Sequence, residues 1–199
     1  WWLGDVDIYA RCARLDNLDW FADSVPEYIE NVPGATFRGD VCNIPFKNES
    51  LDFVVAAHVL ERLQNPLQAL REMSRVLKVG GHVILALTKK ELSPNSRRPT
   101  TLFRDLLDEK KEPLSIMDRI TPELLHKQYD FTHPDALAKD AATLTELCKA
   151  YAHNRLFHVH VFDFNLIQQC LQHIGFHVDS LQLVAHHQMV IARKKKIIK

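Results

Sequence analysis

Residues 51–87 hold a strand–helix–strand pattern, and that pattern most narrows what this chain can fold into. Leu51 to His58, LDFVVAAH, is a short, mostly apolar run with an acid near its start. Such a run suits a strand buried on both faces of a parallel sheet. Asn65 and Pro66 then read as an N-cap and a first helical residue, because an Asn side chain accepts an orphan amide and proline's fixed φ fits the first turn. Leu67, Leu70, Met73, Val76 and Leu77 recur at helical spacing and form one apolar stripe. Gly80 and Gly81 are expected to end this helix, since glycine takes the left-handed conformation of a C-cap. HVILAL, His82 to Leu87, follows as a second buried strand. A strand, a helix and a parallel strand make a right-handed crossover, which predicts an α/β fold on a doubly wound, mostly parallel sheet.

The carboxyl-terminal end adds to this. DFNLIQQCLQHIG reads as an amphipathic helix closed by Gly175. FHVDSLQLV and HQMVIAR read as an antiparallel strand pair. Between them and the crossover, residues 88–157 are helical by period, with Pro113, Pro122 and Pro134 as breaks. About 70 residues is too long for a plain loop. The expectation is one domain over 1–199 with a helical insertion over 88–157, sitting at the carboxyl ends of the strands where ligands bind.

Composition removes several classes. The 199 residues carry a formal net charge of +0. A neutral chain whose sole basic cluster is the tail from Arg193 to Lys199 does not read as a nucleic-acid binder. No apolar run reaches the roughly 18 residues that span a bilayer, and no signal-peptide pattern is present, so no membrane partner is expected. Cys12, Cys42, Cys148 and Cys170 are scattered without a C-x-x-C pair, which points to a reducing, cytoplasmic compartment rather than to zinc or disulfides. His158, His160 and Asp163 lie close in HVHVFD, yet a half-buried segment with histidines facing a cleft is expected there rather than a metal. Glu61 and Arg62 are expected at a solvated helix start. The first methionine is Met73, which reads as a trimmed or processed chain with an upstream segment missing, or as part of a larger parent protein.

The stretch GDVCNIPFKNESLDFVVAAHVLERLQNPLQALREMSRVLKVGGHVILAL, Gly39 to Leu87, resembles class I S-adenosylmethionine-dependent methyltransferases. Their pattern runs from a Gly-Asp turn through LPF, an acid-initiated strand, HVLEHL and a Pro-initiated helix ending RVLKPGG. The closing strand pair is similar as well. The resemblance implies S-adenosylmethionine as cofactor, with Asp40 and the Val41 backbone near the adenine, and Ala57 and His58 near the methionine arm. It implies that Asp40 and His58 share one crevice wall. His58 is the candidate general base, since histidine titrates near working pH. His158 and His160 are candidate substrate contacts near the open end of the cleft. The implied reaction is methyl transfer to a small-molecule or sugar-like acceptor, at oxygen.

One part of the pattern is missing. The family carries a G-x-G loop after its central first strand, where a Cβ would block approach to the cofactor. The six glycines here, Gly4, Gly34, Gly39, Gly80, Gly81 and Gly175, contain no such spacing. Either that strand lies upstream and DVDIYARCA is the second strand, or DVDIYARCA is a degenerate first strand that has lost its loop. The second case predicts a catalytically inactive, methyltransferase-like binding or scaffolding module. A different doubly wound nucleotide binder is a third reading, which no phosphate-cradling motif supports. The acid that ends the family's second strand has no clear counterpart after Arg11 and Cys12.

Overall fold

A computed structural model describes residues 7–12, 14–19, 35–38, 40–107, 127–134, 136–149 and 158–196, with side chains from Asp40 onward. Its centre is a seven-stranded sheet. The strands are β1 (Asp7–Cys12), β2 (Arg14–Asp19), β3 (Ala35–Arg38), β4 (Leu51–Ala57), β5 (Leu77–Thr88), β6 (Phe176–Val184) and β7 (His187–Lys194). They lie in the order β3-β2-β1-β4-β5-β7-β6. Helices α1 (Pro66–Val76), α2 (Phe103–Leu107), α3 (Ala141–Lys149) and α4 (Phe164–Ile174) complete the described elements.

The crossover forms as its residues dictate. The Asn65 Oδ1 accepts the Gln68 amide at 2.8 Å, and Pro66 opens α1. Leu67, Leu70, Met73 and Val76 are fully buried along one stripe. They meet Val83, Leu85 and Leu87 of β5 and Leu166, Ile167, Cys170 and Leu171 of α4 in one core. Each fully buried leucine there contributes about 2 kcal/mol. Asp163 caps α4 through the Leu166 amide at 2.7 Å, and Gly175 closes it at φ 102°. β6 and β7 form the expected antiparallel hairpin.

Two expectations are corrected. Gly80 and Gly81 do not cap α1, which ends at Val76; Leu77 is already extended and pairs with Leu51. The two glycines sit in an irregularity of β5, where the register against β4 shifts between Leu51 and Phe53. Gly81 is needed because a Cβ would lie 2.9 Å from the Asp52 carbonyl, and Gly80 because its φ is 82°. The sheet is mixed rather than mostly parallel: β2–β3 and β4–β5 are parallel, and the other four ladders are antiparallel. The antiparallel order begins at the first pair, where Cys12 of β1 pairs with Arg14 of β2, and continues where β1 pairs with β4. Among the described residues α1 and α4 pack on each other and on the same face of the sheet.

The described part of DVDIYARCA, β1 over Asp7–Cys12, takes the slot between β2 and β4 and runs antiparallel to β4. Ile8 pairs with Ala56 and Arg11 with Phe53, so the carboxyl end of β1 lies at the edge opposite the tip of β4.

Candidate active site at the strand tips

The parallel pair β4 and β5 ends at one edge of the sheet. His58 follows β4 there and occupies a left-handed conformation, φ 55°, that its β-carbon disfavours. Its amide donates to the Ala86 carbonyl at 2.9 Å, which holds the strained residue against β5. The ring Nδ1 lies 3.1 Å from the Thr88 hydroxyl and 3.7 Å from Glu61 Oε1. The His187 ring, across from Thr88 on β7, packs edge-on at 4.8 Å between centroids.

Glu61 belongs to the short helical turn Leu60–Arg62. It is not solvated, contrary to the sequence reading, but 1% exposed. The pattern misled because an acid beside an arginine looks like surface; the following chain, 158–162, folds back and covers it. The His160 amide donates to the Glu61 carbonyl at 2.9 Å. The carboxylate Oε1 accepts the Thr88 amide at 2.7 Å, while Oε2 is buried without a partner. Burial raises the carboxyl, but His58, the neighbouring His158 and the Thr88 amide outweigh it and bring it down to about 2. Glu61 is thus an ionised buried carboxylate. His187 Nδ1 is also buried and unpartnered, and burial followed by the proximity of His58 pushes its pKa down.

His158 and His160 arrive behind this cluster. His158 Nδ1 lies 3.5 Å from the Asn95 amide nitrogen, and its carbonyl accepts Arg98 Nη1 at 2.5 Å. Burial, then the cation Arg62, pushes it down to about 3. His160 is 7% exposed, contacts the Gln64 carbonyl through Nε2 at 3.4 Å, and is pushed by burial to about 4. Both are neutral near pH 7. Among the described residues no three potential ligands converge as a metal site.

Asp40 stands just past β3, at the same edge of the sheet as His58. They are not neighbours: β2 and β1 lie between their strands, about 14 Å at the usual strand spacing. Asp40 Oδ1 accepts the Cys42 amide at 2.9 Å, leaving the second oxygen of a half-buried carboxylate for an incoming donor. Val41 is 1% exposed, so its side chain is core and its backbone alone faces the edge. The Asp40 turn is fixed to α1 by Arg75, which donates to Ile44, Phe46, Asn48 and both oxygens of Glu72 at 2.7 to 2.8 Å. Asp19 ends β2 beside Arg38 of β3, also at this edge. RLDNLD carries no period-2 alternation, since Leu15 and Leu18 are three residues apart, so the sequence offers no clear signal for this strand.

A cleft of about 340 Å³ lies near Lys89, Phe164, Leu183 and Gln188. Gln188 alternates with His187 along β7, so this cleft opens on the opposite face and is separate from the histidine cluster.

The mixed sheet carries an Asx turn and a histidine at its tips and closes with an antiparallel pair, an arrangement consistent with the Rossmann-like architecture that the residue pattern implies. Residues 6–85 match a family model described as a methyltransferase domain. S-adenosylmethionine is the cofactor against which the site is tested. A 66-residue stretch is 39% identical to demethylmenaquinone methyltransferase of Staphylococcus haemolyticus and 37% identical to that of Staphylococcus epidermidis. It covers 33% of this chain, which spans under a third of those relatives, 28% and 27%. Among solved structures, an S-adenosylmethionine-dependent methyltransferase from Mesorhizobium loti aligns over 89% of this chain and 78% of its own, at TM-score 0.48 and 13% identity. One from Methanosarcina mazei aligns over 86% and 73%, at 0.45 and 18%. Of the described residues, none forms a helix long and apolar enough to cross a membrane.

The residues present fit the cofactor in part. Asp40 Oδ1 accepts one amide and Ala57 is small at the tip of β4, which suits an amine and a close-lying arm. The carboxyl end of β1 lies at the opposite edge of the sheet from the tip of β4, and the given sequence has no G-x-G spacing.

Proposed function

We propose that the protein transfers a methyl group from S-adenosylmethionine to a hydroxyl of a small-molecule acceptor. The observation that carries this reading is His58, strained at a strand tip with Nδ1 engaged by Thr88 and Glu61, which leaves Nε2 for an acceptor proton. Strain of this kind gathers at functional sites. The relatives named for demethylmenaquinone favour a small acceptor over a macromolecule. The cofactor, when bound, supplies an electrophilic methyl on a sulfonium. Asp40 and the Val41 backbone take the adenine, and Ala57 and His58 border the methionine arm. His158 and His160, both neutral, shape the acceptor wall from behind the Glu61 turn. The expected insertion over 88–157 lies partly outside the described residues; its described parts, 88–107, 127–134 and 136–149, are read as belonging to a cap on that wall.

Calorimetric titration with S-adenosylmethionine and S-adenosylhomocysteine tests the reading. Binding in the micromolar range, weakened about tenfold or more by Asp40→Ala, is expected; labelled methyl transfer to hydroxyl acceptors should vanish in His58→Ala. A second reading, an inactive methyltransferase-like scaffold, is favoured by the reversed β1. It predicts no binding of either ligand at millimolar concentration.

A further inference from the structure

We infer that Glu61 is a positioning residue that sets the proton on His58. The inference rests on the proposed role of His58 as base and adds the group that makes it one. Two contacts meet at His58 Nδ1: the Thr88 hydroxyl at 3.1 Å and Glu61 Oε1 at 3.7 Å. A threonine hydroxyl both donates and accepts, so Thr88 alone permits either tautomer. Glu61 removes that freedom. An ionised carboxylate is acceptor-only, and a bare Nδ1 lone pair facing it in a buried site is repulsive. Nδ1 therefore carries the hydrogen, the Thr88 hydroxyl accepts it, and Nε2 keeps its lone pair.

The carboxylate is held for this task. Oε1 is anchored by the Thr88 amide at 2.7 Å, and the backbone of Glu61 is clamped by the His160 amide at 2.9 Å. Oε2 is buried and unpartnered, a costly arrangement for a residue with no electrostatic role. Its uncompensated charge becomes favourable when His58 turns cationic. During transfer the acceptor O–H proton passes to Nε2 as the oxygen–methyl bond forms and the sulfonium carbon–sulfur bond breaks. The imidazolium then pairs with Glu61. His187, whose pKa is pushed down, stays uncharged beside it.

Nitrogen-15 NMR of the histidine rings in the whole chain at neutral pH reads the tautomer directly, with the His58 signals assigned by their loss in His58→Ala. The expected result is an Nδ1–H tautomer in the wild type and in Thr88→Val. In Glu61→Gln the ring should shift to an Nε2–H or mixed tautomer. An Nε2–H tautomer in the wild type overturns the inference without any variant; so does an unchanged Nδ1–H signal in folded Glu61→Gln. A wild-type Nδ1–H signal lost in Glu61→Gln, with no S-adenosylmethionine binding, leaves the dyad standing and removes the enzyme reading instead.

Discussion

His58 combines strain and chemistry in one residue, and the two are separable by mutation. At φ 55° its β-carbon costs roughly 1–2 kcal/mol. Glycine would release that cost and also delete the imidazole. His58→Gly should therefore unfold at the same or a higher temperature than His58→Ala, and both should lack methyl transfer. Thermal melts check it; a glycine variant several degrees less stable than the alanine one would mean that the left-handed backbone is not the native one. The buried histidines make a second residue-scale prediction. His158 and His160 are held at about 3 and about 4, against an ordinary 6.5. Below about 6.5 the unfolded chain takes up both protons while the folded chain refuses them. Stability is full above that pH and falls as acid is added, by up to about 1.4 kcal/mol per pH unit for each histidine. Glu61, at about 2 against 4.5, adds a further loss only below about 4.5. Urea denaturation at pH 7, 6 and 5 should show the decline, and His160→Gln should make it shallower. A flat profile over that range would contradict the buried, neutral state of the two rings.

At the scale of elements, β5 tests whether space or conformation demands a glycine. Gly81→Ala would drive a Cβ to 2.9 Å from the Asp52 and Lys78 carbonyls, so neighbouring backbone must move, at about 2 kcal/mol or more. Gly80→Ala meets nothing within 4 Å and loses only the ease of φ 82°, about 1 kcal/mol. Denaturant midpoints should rank wild type, Gly80→Ala, Gly81→Ala; the reverse order would refute the close approach of β4. These glycines also mark where sequence reading reached its limit. The crossover, the Asn65 cap, the Asp163–Gly175 helix and the closing hairpin were legible because each is a local pattern of burial period and cap chemistry. The helix end was misplaced because a G-G pair signals a left-handed turn without saying whether a helix or an irregular strand contains it. The direction of β1 was not legible, since alternation fixes a strand's faces and not its polarity. For the site, His58 was readable as a strand-end histidine. Glu61 was not, because its burial comes from a segment about 100 residues downstream.

Among the described residues the molecule has two apolar clusters, and Arg98 borders the second of them through Val159. The main core joins β4, β5, α1, α4 and β7. A second cluster gathers Tyr129, Ala136, Ala138, Leu144, Cys148 and Val159, largely from the described part of the expected 88–157 insertion. Arg98 is 6% exposed and donates to Asn95 Oδ1 at 2.9 Å and to the carbonyls of His158 and Val159 at 2.5 and 2.8 Å. Burial lowers its pKa to about 10, so it remains cationic at pH 7. It ties the start of the insertion to the segment that follows it, the same segment that covers Glu61. We propose that the insertion is a cap that can loosen apart from the sheet. Truncating Arg98 to alanine leaves two buried carbonyls without that donor, a cost of about 2–4 kcal/mol. If the cap is a separate cooperative unit, hydrogen exchange in Arg98→Ala should quicken over residues 127–149 and 158–162. Exchange in β4, β5 and α4 should keep its wild-type protection. The His58 tautomer should then also become mixed, because the clamp of the His160 amide on Glu61 lies in the loosened segment. Equal acceleration across sheet and insertion would mean that the chain has one cooperative unit, and that the second apolar cluster is only an annex of the first.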